Sequence, residues 1–168
     1  MKKRYIIAFV ISSLVGTGMH FLYDIVPSPL TAVFAPVNES VWEHLKLIFW
    51  PFLTAALILN RKEKASNRAW GAALSALLLM PLFLLGIYYM LAAGFAFTAD
   101  WFNIVLYFIT MAFGFWVYYS LQKNGSASKW TGILAILTAI YGAALIFFTS
   151  SPRNLPIFTE FSMVFKFF

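Results

Sequence analysis

Cysteine is absent from all 168 residues. The chain therefore has no disulfide, no thiolate metal ligand, no catalytic cysteine and no lipoprotein-type anchor, and redox chemistry says nothing about its compartment. Charge is scarce too: 11% of residues are charged, against about 25% in a soluble domain, while 62% are hydrophobic and 20% aromatic. A chain of this size has too little interior to hide that much apolar surface from water. A soluble enzyme is excluded, and an all-α integral membrane protein is expected. Acids are the scarcest charged type, six against twelve Lys and Arg, for a net charge of +6. In a soluble protein that excess would suggest nucleic acid. Here the bases fall where a lipid bilayer explains them, so the bilayer is the expected partner and nucleic acid is not.

Crossing the hydrocarbon takes about 20 mostly apolar residues. Five runs meet that length: Tyr5–Ile25, Val41–Leu59, Trp70–Ala93, Trp101–Leu121 and Trp130–Thr149. They predict a single transmembrane domain over residues 1–168, a bundle of five transmembrane helices with an outer tail over residues 150–168. Polar breaks separate the runs at Asn60–Asn67, Thr98–Asp100 and Gln122–Lys129, and Ile25–Ser40 forms a longer connection holding Pro27, Pro29 and Pro36. Pro51 and Pro81 fall inside runs, where neighbouring helices can compensate the lost hydrogen bond. Nine of the twelve bases lie on one side of this topology: Lys2, Lys3 and Arg4, then Arg61, Lys62, Lys64 and Arg68, then Lys123 and Lys129. Bases in short loops mark the cytoplasmic face, so the N-terminus is expected inside and the C-terminus outside. Trp42, Trp70, Trp101 and Trp130 sit at run ends, where amphipathic rings prefer the headgroup level. The opening MKKRYIIAFVISSLVG resembles a signal peptide, but no A-x-A site follows and the apolar run continues to Tyr23, which predicts a retained helix. Five spans do not divide into two equal inverted halves, which argues against a repeat-built transporter.

The last three runs contain no Asp, Glu, Lys, Arg or His. Such groups at membrane depth collect instead around the outer end of the first run and the start of the second: His20, Asp24, Glu39, Glu43, His44 and Lys46, with Tyr23, Asn38 and Ser40 among them. Ionisable residues there cost several kcal/mol, so they are functional candidates by default. His20 and Asp24 share a helix face at i, i+4, and Ser12 and Gly16 extend that face as a small-residue seam. Glu39 and Glu43 are also i, i+4, and Glu43 and Lys46, at i, i+3, suit an ion pair. Ser40 and Glu43 match a capping box, with Asn38 as an alternative cap, and Gln at position 43 is expected to preserve that cap. Capping leaves His20, Asp24, His44 and Lys46 unexplained. Imidazole and carboxylate together suit Zn²⁺ or a similar divalent ion, and three protein ligands plus water make a catalytic centre. His20, Asp24 and His44 are the expected ligands, Glu43 and Glu39 the expected catalytic bases, and Asn38, Ser40, Tyr23 and Lys46 the expected binding residues. No G-x-S-x-G is present, and Ser40 and His44 on one helix turn do not make a nucleophile elbow.

The same residues carry a resemblance. Gly18-Met-His20-Phe-Leu-Tyr23-Asp24, followed by Ala35-Pro36-Val-Asn38-Glu39-Ser40-Val-Trp42-Glu43-His44-Leu-Lys46, resembles an uncharacterised family of bacterial integral membrane proteins, the domain of unknown function numbered six-five-one-two. Pro152-Arg-Asn-Leu155-Pro156-Ile-Phe158 is similar to the start of the family's Pro-rich outer tail. The remainder, TEFSMVFKFF, departs from it, with Glu160 standing where the family has an acid and the glycines absent. The resemblance implies the membrane architecture and marks the same polar cluster, but it implies no activity. The leading reading is a multi-pass cell-membrane protein with an outward-facing His/Asp/Glu site, metal-binding and acting as a hydrolase or transferase on lipid or envelope substrates. The alternatives are a small transporter or channel component, or a structural or assembly protein whose cluster only fixes helix packing. The basic asymmetry predicts that a reporter fused after Phe168 is extracellular and one inserted near Lys64 is cytoplasmic. The reverse labelling would refute this topology.

Overall fold

A computed structural model describes residues 3–61, 66–95 and 100–159. Lys2, Lys62, Lys64, most of the Thr98–Asp100 turn and the tail from Glu160 onward lie outside the described residues. Among the described residues the chain is all-helical: α1 (Lys3–His20), α2 (Leu22–Ile25), α3 (Pro29–Phe34), α4 (Val41–Asn60), α5 (Asn67–Phe95), α6 (Asp100–Asn124) and α7 (Thr131–Ser150), with 3₁₀ turns at Ser128–Trp130 and Pro156–Phe158. Four helices are long and apolar enough to cross a membrane, over Val41–Asn60, Asn67–Ala92, Trp101–Asn124 and Ser128–Ser150. The chain is a multi-pass membrane protein.

The first apolar run does not form one helix to Ile25. It breaks at Phe21, so α1 has 18 residues, with Lys3 and Arg4 at one end and His20 at the other. Including those polar ends lowers its average hydropathy below that of the other four long helices. Even so, α1 runs the height of the bundle beside α4 and α6. Its Tyr5 is fully buried, hydrogen-bonds to Gln122 near the end of α6 and packs edge-on against Tyr118 at 5.1 Å. Its His20 meets the start of α4.

These contacts define two ends. At the basic end, Arg68 at the start of α5 donates from Nε to Gln122 O at 2.5 Å and from Nη2 to Lys123 O. A cation thus meets the unpaired carbonyls that close α6. Gly125 follows with φ +72°, a left-handed helix stop that side chains rarely adopt. Tyr118 donates to Asn60 Oδ1 at 2.5 Å, and Thr131 to Asn67 O at 2.8 Å. The other end carries both histidines.

The lipid-facing surface is apolar, with Ile6, Leu14, Leu82, Trp101, Ile104, Ile136 and Ile140 all exposed. Inside, the aromatics interlock. Phe52 packs on Phe115 at 4.8 Å, and Phe49 meets Tyr141 edge-on at 5.1 Å. The buried stripe of α1 is Tyr5, Ser12, Ser13 and Gly16, so α1 presents small residues along most of its inner face. Pro51 has no N–H to give the carbonyl of Leu47 four residues earlier. That carbonyl points at α1, where it lies 2.7 Å from the position a Cβ of Gly16 would occupy; Tyr107 Oη crowds the same point. Gly16→Ala therefore has to push backbone against backbone. It should cost about 1–3 kcal/mol, the range for overpacking a close contact, read as a lower melting temperature in detergent. Gly18→Ala, with open space around it, should melt like wild type.

Candidate functional site

The connection between α2 and α4 folds back onto the bundle. Ser28 caps α3 by accepting from Thr31 N at 3.1 Å, and Pro29 supplies the preset first helical residue. The far end of α3 turns its carbonyls toward α4: Trp50 Nε1 donates to Val33 O at 3.0 Å, and Lys46 Nζ donates to Ala32 O at 2.7 Å and Ala35 O at 3.3 Å. Lys46 also pairs with Glu43 at 2.6 Å, and the two side chains are 0% and 2% exposed. The second donor to Glu43 Oε2 is Val37 N at 3.0 Å, while Thr149 of α7 donates to Oε1 at 2.9 Å. The pair is thus fully hydrogen-bonded and joins the connection, α4 and α7.

Only half of the expected capping box forms. Ser40 Oγ accepts from Glu43 N at 3.3 Å, as an N-cap should. Ser40 N–H donates instead to Asn38 Oδ1 at 3.0 Å, because the Glu43 carboxylate is engaged by Lys46, Val37 and Thr149.

His44, the next residue on α4, takes a different direction. Its Nδ1–H donates to Ser40 O at 2.8 Å, which makes Nε2 the lone-pair nitrogen of the ring, the one that faces His20 and Glu39. That Nε2 lies 3.1 Å from His20 Nε2 and 3.4 Å from Glu39 Oε2, and His20 Nε2 lies 3.7 Å from Glu39 Oε2. Ligands bound at about 2.0–2.1 Å to a tetrahedral zinc stand about 3.3–3.4 Å apart, and the three separations bracket that spacing. His20 and His44 are partly shielded, whereas Glu39 is 60% exposed, which leaves one side of the group open. The His44 ring, and His20 with it, hold the Glu39 carboxyl below its ordinary value against the opposing effect of burial.

Of the residues singled out by sequence, His20, Glu39 and His44 therefore converge. Glu43 and Lys46 are engaged with each other, and Asn38 and Ser40 shape the start of α4. Tyr23 and Asp24 lie on α2, Asp24 exposed, and neither joins the convergent group. Asp24 was expected on the His20 face at i, i+4. The helix is interrupted at Phe21, between the two residues. Glu39 thus stands with the histidines where Asp24 was expected as a ligand.

Behind the group opens a cavity of about 370 Å³ between α1, α4, α5 and α6, lined by Thr17, Leu84, Tyr88, Asn103, Leu106 and Tyr107 as well as the three converging residues. Sequence reasoning missed Asn103, Tyr107 and Thr149. Single uncharged polar residues in apolar runs carry no signal of what they face.

The profile of a family of unknown function (DUF6512) matches residues 1–166. The chain belongs to that family. No curated protein and no solved structure matches it. The family assignment brings no activity with it, so function rests on the geometry above.

The network around Glu43 changes what position 43 should tolerate. Gln there would keep the helix cap but leave the Lys46 ammonium buried without its counter-charge. Glu43→Gln should therefore destabilise by about 3–5 kcal/mol, read as a lower detergent melting temperature. Adding Lys46→Met should recover most of the loss. Wild-type melting of the single variant would mean that the pair does not hold the connection in place.

Proposed function

We propose that the protein is a five-span protein of the bacterial cell membrane, N-terminus inside and C-terminus outside. Its His20–Glu39–His44 group binds a divalent ion such as Zn²⁺ at the outward face and serves hydrolase or transferase chemistry on lipid or envelope substrates. α1 is the fifth span: at 1.5 Å per residue its 18 residues cover about 27 Å, close to the roughly 30 Å hydrocarbon. The gathering of Arg4, Arg61, Arg68, Lys123 and Lys129 near one end supports the orientation.

The observation that carries the metal reading is the spacing of three ligand atoms at 3.1, 3.4 and 3.7 Å, with the His44 ring fixed by Ser40 O. Two imidazoles and one carboxylate are a ligand set of catalytic zinc centres, which keep a fourth position for water or substrate. A divalent ion there would polarise a substrate carbonyl or phosphoryl oxygen and make water a better nucleophile. His44 and His20 would hold the ion. Glu39 would supply the third ligand and offset one of its charges. The transporter alternative lacks support in the inner half, where the last three runs offer no Asp, Glu, Lys, Arg or His to continue a path.

The test is metal content and metal response. Purified wild-type protein should retain zinc, and the His20→Ala, His44→Ala double variant should not. Added Zn²⁺ should raise the melting temperature of wild type alone, in line with about 2.7 kcal/mol of stabilisation at a hundredfold excess over Kd. Absence of metal from wild type, together with no shift from Zn²⁺, Mn²⁺, Mg²⁺ or Ca²⁺, would end the reading.

A further inference from the structure

Resting on that metal reading, we infer that the site takes a single-chain amphiphile with a monoanionic oxygen head group. The head sits at the ion, and the chain lies in the cavity between α1, α4, α5 and α6. Three observations converge on this ligand. The first is continuity. His20, Glu39 and His44 form part of the wall of the 370 Å³ cavity, so a group on the ion has its remainder directed into it. The second is lining chemistry. The lining is predominantly apolar, with Val41, Leu47, Leu84, Ile104 and Leu106 contributing to it, which suits a hydrocarbon chain and not a sugar or a peptide. The volume is at the small end of the ~300–1,000 Å³ of ligand pockets, enough for one chain and not for a two-chain lipid.

The third is charge. Two neutral imidazoles, one carboxylate and a divalent ion leave one net positive charge, and no other ionised side chain lines the cavity. A head group carrying one negative charge on oxygen matches that charge at the mouth of the cavity and leaves none to be buried with the chain. Phe21 and Ile104 line the same cavity and are 56% and 62% exposed. Ile104 lies on the lipid-facing side of α6, so the cavity opens sideways, and an amphiphile dissolved in the bilayer reaches it without passing through water.

The test uses full-length protein in phosphatidylcholine nanodiscs, with zinc content measured separately on each sample. The probe is cis-parinaric acid, a fluorescent fatty acid. It should bind saturably, and zinc loading should tighten binding on the order of tenfold or more. Palmitate and a single-chain phosphodiester, lysophosphatidylglycerol, are the two competitors, and the stronger one identifies the head group. Hexadecanol and hexadecylamine should not compete. Leu84→Trp fills the cavity and should weaken the probe by on the order of tenfold with zinc content unchanged. Ile104→Trp, at the lipid-facing mouth where a larger side chain is accommodated, should do the same if Leu84→Trp does not fold. Zinc-loaded protein that binds no probe would overturn the inference while leaving the metal reading standing. So would acetate displacing the probe as effectively as palmitate, or both cavity variants binding it like wild type. Protein that loads no zinc fails the metal reading first and removes the charge argument with it.

Discussion

A lysine and a glutamate paired at 2.6 Å and buried side by side need every donor and acceptor satisfied, and the histidine end of the molecule is organised around that requirement. Lys46 has three N–H bonds to give. It finds Glu43 and the carbonyls of Ala32 and Ala35. Glu43 in turn takes Val37 N and the Thr149 hydroxyl. Breaking any one of these leaves a charge or a dipole in a low-dielectric setting, where the loss is large. The connection between α2 and α4 is therefore folded inward, with α3 directed toward α4. A buried pair of this kind adds little net stability compared with apolar packing. What it adds here is position, since it ties three separate segments to one point.

Position is what the neighbouring group needs. Glu39 lies on the segment that the pair holds down, between Val37, bonded to Glu43, and Ser40, which caps α4. His44 follows Glu43 directly on α4, and the roughly 100° turn between successive helical residues sends the two side chains to different surroundings. One enters the closed network and the other faces α1. The structural pair and the convergent group are thus two faces of the same helical turn. His20 arrives from α1, whose small inner face allows it to lie close to α4, and whose end at Phe21 presents the ring to His44 at a centroid distance of 5.1 Å.

The same economy runs through the bundle. Proline in α4 frees the Leu47 carbonyl, and a glycine on α1 leaves space for it. The C-terminal 3₁₀ turn folds back so that Phe158 packs on Trp42 at 5.1 Å and on Phe148 at 5.3 Å, which closes the histidine end from the α7 side.

Composition and the spacing of apolar runs were enough to read a multi-pass helical membrane protein, because the hydrocarbon thickness constrains run length directly. The family was legible in the residues around PVNESVWEHLK. The polar cluster stood out because ionisable groups are rare at this depth, and the Glu43–Lys46 pair followed from helical spacing alone. What one-dimensional spacing did not decide was the division of labour within the cluster. Asp24 has the same i, i+4 spacing from His20, yet it lies beyond the helix break at Phe21 and outside the convergent group. Glu39 and Glu43 looked equivalent at i, i+4 until the fold placed one beside two histidines and buried the other beside a lysine. Local sequence sets which groups are available and how far apart they lie along a helix. Which of them meet depends on how four segments distant in the chain pack together, and that is decided only in three dimensions.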